Sequence, residues 1–117
     1  MEWFATAGQS RIGVQHMPDL PELNPVIHGK LRLALLSLLA GVEQADFTWL
    51  REKTGSTDGN LGAQLARLEE AGYVRVEKKF VQRKPRTIYR MTDAGRQALA
   101  EYVLALKHLL GAAIDIF

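Results

Sequence analysis

The chain changes its hydrophobic period at Gly72, and few small folds accommodate that change where it falls. Before it, Leu61, Leu65 and Leu68 recur at i, i+4 and i+7. At about 100° per residue they share one buried helical face, which leaves Gly59, Asn60, Ala63, Ala66 and Arg67 on the far side and Gln64 on the flank. After Gly72, the run Tyr73 to Glu77 alternates with period two and is rich in β-branched residues, which predicts a strand. A second strand-like run covers Thr87 to Met91, and the polar stretch Gln82 to Arg86 between them holds a proline that a central strand would exclude. The expectation is a helix followed at once by a β-hairpin with a basic tip.

Three more helices complete the pattern. Asn24 before Pro25 is a helix start, with Gly29 able to delay regular helix, and the first helix runs to about Ala40. Ile27, Leu31, Ala34, Leu35 and Leu38 form one stripe on it, and Leu33, Leu36 and Leu39 a second, so it is expected at the centre of the core. Gly41 ends it. Asp46 caps a short second helix through Phe47 and Leu50 to about Thr54; Gly55 breaks the chain, and Ser56 or Thr57 caps the third helix, residues 58 to 71. Thr92 caps a long last helix with Asp93 in its first turn, and Gly111 is expected to end it. Its Leu99, Tyr102, Leu106, Leu109 and Leu110 exceed what a core of this size should need and approximate a heptad seam, for which a second copy is the natural partner.

At 117 residues the chain is expected to form one domain. Residues 1–18 read as an appendage, with Met17 a candidate alternative start, residues 19–91 as the folded module, and residues 92–117 as the dimerisation helix and its tail. The absence of cysteine rules out disulfides and thiolate sites and fits a reducing cytoplasm. The most apolar stretch, Leu31 to Val42, is interrupted by Arg32 and Ser37 and falls short of the roughly 20 residues of a membrane span. His16, His28 and His108 lie apart with no second ligand at helical spacing. Glu69 and Glu70 are adjacent on a helix and cannot face each other as a catalytic pair, and Gly29-Lys30 lacks the rest of a phosphate loop. Neither an enzyme nor a cofactor is expected.

A net charge of +2 hides an asymmetry, because residues 75 to 90 hold seven basic side chains against one acidic. Such a local field draws polyanions such as the nucleic-acid backbone. In addition, the run Thr57-Asp58-Gly59-Asn60-Leu61, then Leu68 to Val74, then Pro85 to Thr92 with Gly95, resembles the winged helix-turn-helix transcriptional regulators of the MarR and ArsR type, in their small single-domain prokaryotic branch. The resemblance covers about residues 23 to 110. It implies a mainly α fold with a β-hairpin: a three-helix core, a wing hairpin and a long C-terminal dimerisation helix.

It also implies a cytoplasmic homodimer that binds double-stranded DNA at a pseudo-palindromic operator, with the third helix in the major groove and the hairpin on the minor groove or backbone. Carried onto this sequence, it assigns base or groove contact to Asn60, Gln64 and Arg67, backbone contact to Ser56 and Thr57, and the wing role to Lys79, Arg83, Lys84 and Arg86. The residue types suit these tasks, since Asn and Gln can bond adenine bidentately, Arg can bond guanine, and hydroxyls at a helix start suit phosphate. One departure is Gly62-Ala63, where comparable proteins carry polar side chains. Gly59 and Gly62 each cost a helix about 1 kcal/mol relative to alanine, which suits a surface that another molecule approaches closely. Repression by occlusion is the expected mode of action. The alternatives are a protein–protein assembly module whose wing meets an acidic partner, and a sensor holding a small-molecule effector between the last helix and the core.

Overall fold

The structure is a computed structural model in which residues 21–116 are described; the expectations for residues 1–18, Met17 and His16 fall outside them. Helix α1 spans Lys30–Ala40, strand β1 Ala45–Asp46, α2 Phe47–Thr54, α3 Asp58–Glu70, β2 Val74–Val81, β3 Lys84–Met91 and α4 Asp93–Ile116. The three strands form an antiparallel sheet in which β3 lies between β1 and β2. No helix among the described residues is long and apolar enough to cross a membrane.

The core is built where α1 meets the other helices. Ile27, Leu35, Leu36, Leu39, Leu50, Leu61, Leu65 and Leu68 are fully buried, joined by Val74 and Tyr89 from the sheet. Each such leucine contributes about 1.5–3 kcal/mol by leaving water. Within α1 the fully buried set is Leu35, Leu36 and Leu39; Leu31, Leu33 and Leu38 are half-buried and Ala34 is exposed. Asn24 caps a turn rather than the helix: its Oδ1 accepts from the amides of Val26 and Ile27 at 2.9 and 3.3 Å, and α1 starts only after the extended Gly29.

The hairpin is longer than the sequence suggests. Its strands pair from Val74–Met91 out to Val81–Lys84, so the loop is Gln82-Arg83 alone, both residues left-handed with φ of 53° and 67°. Two positive-φ residues match the right-handed twist of the flanking strands, although the usual Asn-Gly is missing. Pro85 is tolerated inside β3 because it follows the hydrogen-bonded closing pair Val81–Lys84 and therefore faces Phe80 across a non-hydrogen-bonded pair, where an amide would point away from β2. Strand β1, two residues beside Tyr89 and Ile88, has no signature of its own in the sequence.

Helix α4 continues through Gly111 to Ile116, since one glycine costs about 1 kcal/mol and the alanines that follow favour helix. At its start the Thr92 hydroxyl donates to the Gly72 carbonyl at 2.6 Å and accepts from the Gly95 amide at 2.9 Å. Gly95 lies so close to β2's entry that a Cβ there would stand 2.2 Å from the Tyr73 carbonyl oxygen. The expected heptad seam needs correction at Tyr102. It is buried in its own chain's core, with its hydroxyl 2.8 Å from His28 Nδ1, and so is not available to a second copy. Leu99 and Leu106 are half-buried against the same core, whereas Leu109 and Leu110 remain exposed, together with Val103 and Leu104.

Candidate nucleic-acid interface

Helices α2 and α3 are joined by a tightly specified turn. Asp46 Oδ1 accepts from the Trp49 amide at 2.8 Å to start α2. Gly55, at φ 68°, ends it by donating its amide to the Arg51 carbonyl at 2.8 Å. Only Ser56 and Thr57 remain before α3, where Thr57 Oγ1 accepts from the Asn60 amide at 3.2 Å. Asp58, placed against the positive end of the helix dipole, also pairs with Arg51 at 2.8 Å and ties the two helices together. This hydrogen bond, and then the carboxylate charge, raise the Arg51 pKa further above its ordinary value.

With Leu61, Leu65 and Leu68 turned into the core, α3 exposes Gly59, Asn60, Ala63, Ala66 and Arg67. Neither Gly59 nor Gly62 is small for the sake of its own fold, because a Cβ added at either position meets no other part of the described chain within 4 Å. Thr57 is exposed but spends its side-chain oxygen on the cap, and Ser56 is half-buried with its hydroxyl 2.6 Å from that of Thr54. Gln64 is half-buried and engaged at both ends: its Oε1 accepts from Arg32 Nη1, and its Nε2 donates to Asn60 Oδ1 at 3.1 Å. Beside this chain of bonds lies an open groove of about 840 Å³, lined in part by Lys30, Lys53, Thr54 and Ser56.

The hairpin tip stands clear of the rest of the chain. All residues from Phe80 to Arg86 are exposed, Phe80 at 80%. Arg83 and Lys84 are the tip cations. Lys79 is half-buried and lies 3.6 Å from Glu77, and Arg86 pairs at 3.2 Å with Asp46, the same carboxylate that caps α2. Arg86 is therefore tied to the helical body, whereas Arg83 and Lys84 are the cations held furthest out. Two residues of this region escape sequence reasoning. Arg32 is a cation set among the leucines of an apolar helix, an oddity that could have marked it, and Phe80 is a large apolar side chain among lysines.

The sequence matches the family described as winged helix DNA-binding domain over residues 31–110. An uncharacterized protein of Methanocaldococcus jannaschii is 36% identical over 84 residues, which make up 72% of this chain and 91% of that one. A transcriptional regulator homologue from Pyrococcus horikoshii superposes with a TM-score of 0.71 at 26% identity, covering 75% of this chain and 87% of that chain. A structure from Enterococcus faecalis, described as a transcriptional regulator of the MarR family, gives a TM-score of 0.63 at 26% identity over 77% of this chain and 80% of that one. The helix-turn-helix, the exposed hairpin after it and these matches lead to one conclusion: the chain belongs to the winged helix DNA-binding domain family, with structural neighbours among the MarR-type transcriptional regulators.

Proposed function

We propose that this protein is a homodimeric transcriptional regulator that binds a pseudo-palindromic duplex site and represses by occupying it. The observation that carries this is the pairing of two surfaces: an α3 face kept small at Gly59, Gly62 and Ala63, and an exposed hairpin tip with Arg83 and Lys84. The first suits close approach to a groove and the second suits phosphate. Homodimerisation is supported by α4, where the stripe Leu99, Val103, Leu106 and Leu110 follows the four-three-four spacing of a coiled-coil seam while Val103 and Leu110 stand 41% and 42% exposed. A two-fold pairing along that stripe would cover it and present two copies of α3 to one face of a duplex.

The test is selection of bound sequences from random duplex DNA by the full chain. The expected product is a pair of inverted half-sites about one helical turn, roughly 34–36 Å, apart. Recovery of a single unrepeated site would break the dimer proposal, and recovery of no duplex at about 0.1 M salt would break the regulator proposal with it.

A further inference from the structure

We infer that Arg32, which lies on α1 outside the α3 surface, fixes the hydrogen-bond polarity of that surface, so that Asn60 meets its base edge as a donor and prefers guanine to cytosine. The inference rests on the duplex-binding role proposed above.

An arginine side chain has five N–H donors, no acceptor, and keeps its proton at any pH the protein meets. Whatever faces the Arg32 guanidinium must therefore accept. Gln64 does so with Oε1, which by the geometry of an amide turns Nε2 towards Asn60; Asn60 answers with Oδ1, and its own Nδ2 becomes the outer end of the chain. Two side chains that could each flip are thus oriented by one that cannot. Arg32 is itself held, its Nε bonded to the Val26 carbonyl and its Nη2 3.5 Å from the Pro25 carbonyl, so the arrangement is set before any ligand arrives.

The consequence is a sequence preference unlike the one expected from residue types alone. Adenine recognition by an amide needs a donor and an acceptor side by side, but Gln64 is occupied at both ends and Asn60 leads with Nδ2. In the major groove guanine offers two acceptors, N7 and O6, and adenine and thymine one each, N7 and O4, whereas cytosine offers only its amino group, so an outward donor separates guanine from cytosine most sharply. Arg32 is a positioning residue, acting through Gln64 on Asn60.

The experiment measures relative affinity for all four base pairs at each position of the selected half-site, using the full chain. Asn60→Ala identifies the position by flattening discrimination there. At that position the wild-type chain is expected to prefer guanine to cytosine by roughly tenfold. Arg32→Met frees Gln64 and reduces this ratio. Gln64→Glu keeps a partner for Arg32, so the fold is not at issue, but its second carboxylate oxygen takes the Asn60 amino group and turns Oδ1 outward; the preference then moves to cytosine or adenine, which supply amino hydrogens. A guanine preference unchanged in both variants overturns the inference while duplex binding stands. So does an Asn60→Ala variant that weakens every sequence equally, which marks a phosphate contact. A wild-type chain that binds no duplex removes both the inference and the role beneath it, so the two failures are told apart.

Discussion

Over the first half of α3, from Gly59 to Gln64, the outward side chains are short or already hydrogen-bonded, and Arg67 further along is long and exposed, whereas at the tip of the β2–β3 hairpin Arg83 and Lys84 are long, cationic and exposed. The helix is ordered by its buried leucines, by the Thr57 cap and by Arg51–Asp58. The hairpin projects from the body, closed by two left-handed residues and steadied near its base by Arg86–Asp46. The difference separates two ways of holding a duplex: by fit, which acts over van der Waals distance and is indifferent to salt, and by charge, which is long-ranged and screened. A family relationship alone would not divide the labour in this way.

The largest effect that would sharpen this division is expected from the hairpin. Replacing both Arg83 and Lys84 by alanine removes two phosphate neutralisers per subunit, and each should flatten the plot of log affinity against log salt by up to about 1.8 in a dimer, at about 0.9 per phosphate in each half. Asn60→Ala should leave that slope unchanged, whatever it does to affinity. Equal slopes for the hairpin variant and the wild-type chain would break the contrast.

A smaller effect tests the other half. Since a Cβ at Gly62 meets open space, Gly62→Ala should stabilise α3 by about 1 kcal/mol through helix propensity, seen as a higher denaturant midpoint with unchanged slope. The same methyl group would stand in the gap into which a duplex is expected to fit, so affinity should fall while stability rises, with the salt slope preserved. If affinity and stability rise together, α3 is not the closely approached surface.

How much of this could be read from sequence follows from how local each cause is. Leu61, Leu65 and Leu68 place α3 because they lie within one helix, and Asp46, Thr57 and Thr92 mark starts because a cap acts over three residues. The hairpin's length was hidden by Pro85 and by a turn without glycine; what allows both is the register between strands, which no single stretch encodes. Heptad spacing in α4 reports that a face is apolar but not what covers it, and so the spacing points Tyr102 at a partner although its own chain buries it. The bond between Arg32 and Gln64 joins residues 32 positions apart, and only the packing of α1 on α3 brings them together.

The smallest effect concerns the turn itself, where two influences oppose each other. A side chain in the left-handed region costs about 1 kcal/mol or more, so Arg83→Gly relieves strain in the folded hairpin. Glycine also loosens the unfolded chain, at about 0.4–1 kcal/mol, and the two nearly cancel. Thermal unfolding of Arg83→Gly should therefore lie close to wild type, on the stable side by about 0–0.6 kcal/mol where the left-handed cost is about 1 kcal/mol. Duplex affinity should nevertheless fall as far, and the salt slope flatten as much, as in Arg83→Ala, because both variants remove the same charge from the same exposed position. An arginine that adds nothing to folding yet carries part of the salt dependence is kept there for its ligand. If Arg83→Gly instead bound duplex like the wild-type chain, the tip would be only a way of closing two strands, and charge at the hairpin would have to act through Lys84 alone.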